Sequence, residues 1–187
     1  MIEINGIKYK NKEILMNKDE LNRTVRRMAN QILEKSRGTK NVGLIGLQTR
    51  GVFLAKRISA EIKRIEGENV PTGIIDIALY RDDIDNINTQ PEVKETNFPF
   101  EITDKKIILI DDVLFTGRSI RAAMECIMDF GRPKSIKLGV LIDRGHRELP
   151  IQPDFVGKKR VASLNQTILV ELKETDEKDV VRLLEKK

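Results

Sequence analysis

Apolar and polar positions along the 187 residues alternate between two periods, and so between strands and helices. Two short apolar pieces, Ile2–Ile4 and residues 7–9, flank Asn5-Gly6. That dipeptide favours a hairpin because both residues tolerate positive φ. Over residues 19–36, Leu21, Val25, Met28 and Ile32 recur at helical spacing, with Asp19 as the expected N-cap and Gly38 as the stop. Val42–Leu47 is a short apolar strand, followed by a helix carried by Phe53, Leu54, Ile58 and Ile62. Residues 73–80 read as a strand, and 81–100 as a long polar connection containing Pro91 and Pro99. A connection of that length inside a compact domain is usually functional or disordered. The continuous apolar run 107–110 ends in two aspartates and leads to a helix over 117–130, stopped by Gly131 and Pro133. Residues 136–142 form another apolar strand. A turn-rich stretch follows, then a strand near 168–172 and a terminal helix around 180–184. The central strands are apolar at every position, as strands covered on both faces must be. The expected fold class is α/β: a mostly parallel twisted sheet flanked by helices. With no repeat and no Pro/Gly/Ser-rich linker, a single domain over 1–187 is expected.

Composition narrows the function classes. The hydrophobic fraction of 40% excludes compositional disorder. One Cys and one His leave no disulfide framework and little for a transition-metal site. No apolar run approaches the roughly 18 residues of a membrane helix, and the first ten residues lack a signal-peptide core. A cytoplasmic protein without membrane contact is expected. The net charge of +5, from 34 basic and 29 acidic residues, is informative only through its placement. Arg23, Arg26, Arg27, Asn30 and Glu34 fall opposite the apolar stripe of the first long helix, and Arg23, Arg26, Arg27 and Lys35 give that helix a basic surface.

Ligands of open α/β sheets bind at the C-terminal ends of the strands, and two such ends carry chemistry. After the run 107–110 come Asp111, Asp112, Val113, Leu114, Phe115, Thr116, Gly117, Arg118 and Ser119. Unpaired N–H groups at a helix start attract a phosphate, and Gly117 allows close backbone approach. The hydroxyls of Thr116 and Ser119 can donate to phosphate oxygens, and adjacent carboxylates can accept from both hydroxyls of a ribose. The second end is Thr49-Arg50-Gly51, where a guanidinium can stabilise a departing diphosphate. His146 has no triad partner nearby in sequence, and Cys126 lies mid-helix, where burial is expected.

The string from residue 107 to Ser119 resembles the ribose-phosphate motif of type I phosphoribosyltransferases along its full length. The resemblance implies that Asp111 and Asp112 hold the ribose of phosphoribosyl pyrophosphate, that Thr116 to Ser119 cradle its 5′-phosphate with Val113, Leu114 and Phe115 also on the substrate, and that Thr49, Arg50 and Gly51 bind its pyrophosphate. Arg81 and Asp82 resemble the start of a flexible loop that closes over substrate. The block Asp143-Arg144-Gly145-His146-Arg147-Glu148-Leu149-Pro150, with Asp154-Phe155-Val156-Gly157-Lys158, is similar to the PyrR family, and the likeness runs over most of the chain. It implies a small hood over uracil, with Val140 and Arg144 on the substrate side. The implied activity is uracil phosphoribosyltransferase, with Mg²⁺ bound mainly through substrate and no protein metal site. The implied partners are pyr leader mRNA and the effectors UMP or UTP, in a homodimer or larger homo-oligomer. Arg23, Arg26, Arg27, Asn30, Lys35, Arg147, Gln152 and Lys158 are the implied RNA-facing residues. Family members commonly carry His at the place of Asn30 and Arg at that of Gln152, which leaves open an alternative: uracil salvage without RNA binding.

Overall fold

The computed structural model describes residues 2–4, 6–77 and 96–187. Strands β1 (Ile2–Ile4) and β2 (Ile7–Met16) pair antiparallel, with β2 far longer than the expected 7–9. Helix α1 (Lys18–Ser36) starts at Asn17, two residues before the expected cap. The Asn17 side chain accepts from the Glu20 N–H at 3.0 Å and the Glu20 carboxylate accepts from the Asn17 N–H at 2.8 Å, closing a capping box. Asp19 sits in the first turn instead, where its charge suits the helix dipole.

Strand β3 (Val42–Leu47), helix α2 (Arg50–Glu66), β4 (Thr72–Ile75), β5 (Lys106–Leu114), α3 (Arg118–Asp129), β6 (Ser135–Asp143) and β7 (Phe155–Lys159) build the main body. All five of its strands are parallel, in the order β4-β3-β5-β6-β7. Ile108 and Ile110 of β5 pack into one core with α1 and α2, while Ile107 and Leu109 enter a second core with Ile120, Ala123 and Ile127 of α3. Both faces are covered, which explains the unbroken apolar run. β7 falls inside the stretch expected to be turns; it is short, and only Phe155 of its side chains is buried.

The remaining elements are β8 (Gln166–Glu171), the short α4 (Lys173–Asp176) and β9 (Val180–Lys186). They join the N-terminal hairpin in an antiparallel sheet of order β1-β2-β9-β8. The terminal segment is therefore a strand, not the expected helix. Helical and extended preferences differ by tenths of a kcal/mol per residue, whereas burying a Val or Leu side chain is worth about 1.5–3 kcal/mol. β9 has partners on both edges, and Val181 and Leu183 alternate into the core shared with α1 and α2. The expected strand 73–80 is seen as β4, and residues from 78 to 95 lie outside the described residues. Arg81 and Asp82 are among these. No described helix is long and apolar enough to cross a membrane.

Candidate active site and adjoining basic groove

The last registered pair between β3 and β5 is Gly46↔Ile110, whereas β6 continues beside β5 through Leu114↔Asp143. Asp111 and Asp112 thus stand where β3 has run out, beside the first turn of α2. Gly51 makes that approach possible: a Cβ there would fall on the Ile110 carbonyl oxygen and lie 3.2 Å from the Asp111 Cα. The two strand ends singled out in the sequence are therefore neighbours in space.

Asp111 is 9% exposed and Asp112 half-buried. The Asp111 carboxylate accepts from the Asp112 N–H and the Asp112 carboxylate from the Val113 N–H, each at 2.8 Å. Burial pushes the Asp111 carboxyl well above its ordinary range, and the charge of Asp112 adds to this. Asp112 is raised too, chiefly by burial, but the Val113 N–H and the Arg50 charge oppose the shift. The pair is thus short of positive charge and of donors, a state that two ribose hydroxyls or a cation would relieve.

A cavity of about 390 Å³ opens beside the pair, lined by Asp111, residues 113–120 and Glu148. Gly117, at φ 94°, turns the chain into α3, whose first helical return bond runs from the Arg121 N–H to the Gly117 carbonyl. The Thr116 hydroxyl accepts from the Arg118 N–H at 3.3 Å. Residues 144–151 pack over this turn: the Arg144 N–H bonds the Leu114 carbonyl, and those of Glu148 and Leu149 bond the Thr116 carbonyl. Arg118 reaches Glu148 at 2.7 Å across the cavity rim, and Arg50 forms a fork with Asp176.

Three implied residues sit differently from a simple lining. Val140 is fully buried in the core, pairs with Asp111 across β5 and β6, and is not among the residues that line the cavity. Arg144 is buried, stacked 4.0 Å over the Phe115 ring, and donates to the Gln166 carbonyl at 3.1 Å. Arg147 points inward, not toward a surface partner. Its guanidinium donates to the carbonyls of Phe115 and Ile151 at 3.0 and 3.1 Å and to Asp143 at 2.7 Å. It ties residues 145–151 to the turn that precedes α3. The sequence signals only that it is basic, not where it points. His146 is exposed, with its ring 6.5 Å from that of Phe115, and Cys126 is buried as expected.

The basic face of α1 runs along a seam with β7. Arg23 and Arg27 line a groove with Lys158, Gly157 and the end of β2. Arg27 also donates to the Val156 carbonyl at 3.2 Å and to that of Gly157, and Lys35 to that of Asp154 at 2.9 Å. Arg26 turns toward Glu61 of α2 at 3.5 Å, the Asn30 amide donates back to the Arg26 carbonyl, and Gln152 is exposed.

This arrangement, a parallel sheet with a carboxylate pair and a helix-start turn on one strand, defines a class. The model of the phosphoribosyl transferase domain matches residues 12–175, and the chain belongs to that family. The hypoxanthine phosphoribosyltransferase of Trypanosoma cruzi shares the fold, with a TM-score of 0.70 at 16% identity over 95% of this chain and 98% of that one. Within the family the chain stands with the PyrR proteins. It is 50% identical to the bifunctional protein PyrR of Oceanobacillus iheyensis over 95% of this chain and 99% of that protein. With its counterpart from Acetivibrio thermocellus it shares 52% identity over 87% of this chain and 88% of that protein.

Proposed function

We propose that the protein transfers a phosphoribosyl group from phosphoribosyl pyrophosphate to uracil, giving UMP and pyrophosphate. We propose further that, with UMP or UTP bound, it grips pyr leader mRNA and promotes transcription termination in the cytoplasm. The transferase reading rests above all on one juxtaposition: Asp111 lines a cavity with the start of α3, and the first turn of α2, which carries Arg50, abuts the same strand end.

Each part has a task that its chemistry suits. The bond from the ribose C1 to the diphosphate oxygen loosens first, and positive charge builds on the sugar. Asp111 and Asp112 accept from the two ribose hydroxyls, fixing the ring and favouring that charge. The N–H groups at the start of α3, with Thr116 and Ser119, hold the 5′-phosphate. Arg50 stabilises the leaving diphosphate. Asp111 and Asp112 are the carboxylates that could hold a hard cation, most of whose oxygens would come from substrate and water. That fits Mg²⁺, which when bound neutralises charge on the diphosphate. The proposed contact for the base is the hood segment, residues 144–151, which packs over the Phe115–Gly117 turn.

The groove of Arg23, Arg27 and Lys158 is the proposed RNA grip, reading phosphates and splayed loop bases. Conversion of labelled uracil to UMP, dependent on phosphoribosyl pyrophosphate, tests the enzyme. A gel shift with a pyr leader hairpin, with and without UMP, tests the regulator. Turnover without a UMP-enhanced, salt-sensitive shift would leave a salvage enzyme only.

A further inference from the structure

Arg50 does not stand free. Its Nη2 lies 2.8 Å from Oδ1 of Asp176 and its Nε donates to Oδ2 at 3.3 Å, a two-point fork. Asp176 ends α4, in the β8–β9 connection of the antiparallel sheet, and no sequence motif points to it. The carboxylate is itself held: Oδ2 accepts from the Leu172 N–H at 3.0 Å and from the Thr175 hydroxyl at 2.6 Å. Burial works against its charge, but Arg50, Thr175 and the Leu172 N–H outweigh it and hold Asp176 below the usual carboxylate range. Two turns along α2, Arg57 anchors the same connection through Glu174 at 2.5 Å and Asp179 at 2.6 Å.

We infer that Asp176 is a positioning residue for the pyrophosphate end of the substrate, acting through Arg50. The inference deepens the transferase reading above and rests on it. A guanidinium has five N–H donors, and the fork uses two. Three remain for a diphosphate, and the arginine no longer has to lose its rotamer freedom on binding. Arg50 is then fixed by the Asp176 carboxylate in the first turn of α2, which abuts the strand end that carries Asp111 and Asp112. The small antiparallel sheet thereby takes part in the reaction without touching the reacting atoms.

The test is steady-state kinetics with Asp176→Asn. The expected result is a rise of about tenfold in KM for phosphoribosyl pyrophosphate and in the inhibition constant of pyrophosphate, with kcat and KM for uracil within about twofold. Inhibition by UMP, which lacks the diphosphate, should not move. In the Arg50→Ala background, Asp176→Asn should change nothing further. Glu174→Gln loosens the same connection without touching Arg50, and should lower the unfolding midpoint while leaving KM for phosphoribosyl pyrophosphate unchanged. Equal loss for pyrophosphate and UMP, an unchanged KM, or a Glu174→Gln variant that mimics Asp176→Asn would overturn the inference. Absence of turnover in the unmodified chain would overturn the transferase reading itself and the positioning role with it.

Discussion

Asp111 is the residue where stability and function pull apart most clearly. Its folded carboxyl titrates above the unfolded value of about 3.9, because burial and Asp112 penalise the charge. The stability it lends is therefore complete below that unfolded value and is lost as pH rises through the folded one. Asp111→Asn should raise the unfolding midpoint of the ligand-free protein at pH 8, by about 2–4 °C for each kcal/mol recovered. The gain should vanish as pH falls toward 4, which calorimetry across that range would show. Turnover should fall about a hundredfold in the same variant, and likewise in Asp112→Asn, while RNA binding is spared. Gly51 makes a different demand. Its Cβ position is occupied by β5 backbone that cannot move aside cheaply, so Gly51→Ala should push α2 off the strand. Loss of stability of about 1–3 kcal/mol by denaturant titration, with a raised KM for phosphoribosyl pyrophosphate, is the expected outcome.

The seam between α1 and β7 shows how an element can serve two ends. Arg27 lines the basic groove and also holds the backbone of β7 through Val156 and Gly157. Arg27→Ala should weaken RNA binding about tenfold and reduce the dependence of log affinity on log salt by about one. Arg27→Lys keeps the charge but loses the fork, so it should preserve the salt slope and still loosen β7, as amide exchange at residues 155–159 would report. Uracil turnover should stay near normal in both. The helical stripe of α1 was legible because Leu21, Val25, Met28 and Ile32 repeat strictly. β9 was not, because Val180, Val181, Leu183 and Leu184 satisfy either period until partner strands are supplied. β7 hid for the opposite reason: its Gly157 and two lysines carry almost no apolar pattern, and its place is set by pairing with β6.

Over the molecule, the two sheets are not independent. Leu15, Met16, Ile168, Val170, Val181 and Leu183 from the antiparallel sheet, with Leu172 just past β8, share one core with α1, α2 and one face of the parallel sheet. Equilibrium unfolding should accordingly be a single transition, with coincident midpoints from circular dichroism and from exchange of β9 and β5 amides. An early step confined to β9 would contradict the shared core. The apolar runs of β3, β5 and β6, the adjacent carboxylates and the glycine turn into α3 were readable along the chain, because each shows in neighbours within about ten residues. What the chain alone left open depends on contacts between distant segments. Asp176 meets Arg50 across 126 positions, Arg147 turns inward to the Phe115 carbonyl across 32, and Arg27 reaches β7 across 129. A residue's type and local spacing decide what chemistry it can offer. Which of its neighbours receives that chemistry is decided by packing, since burial and strand pairing outweigh local preference and settle which way each side chain points.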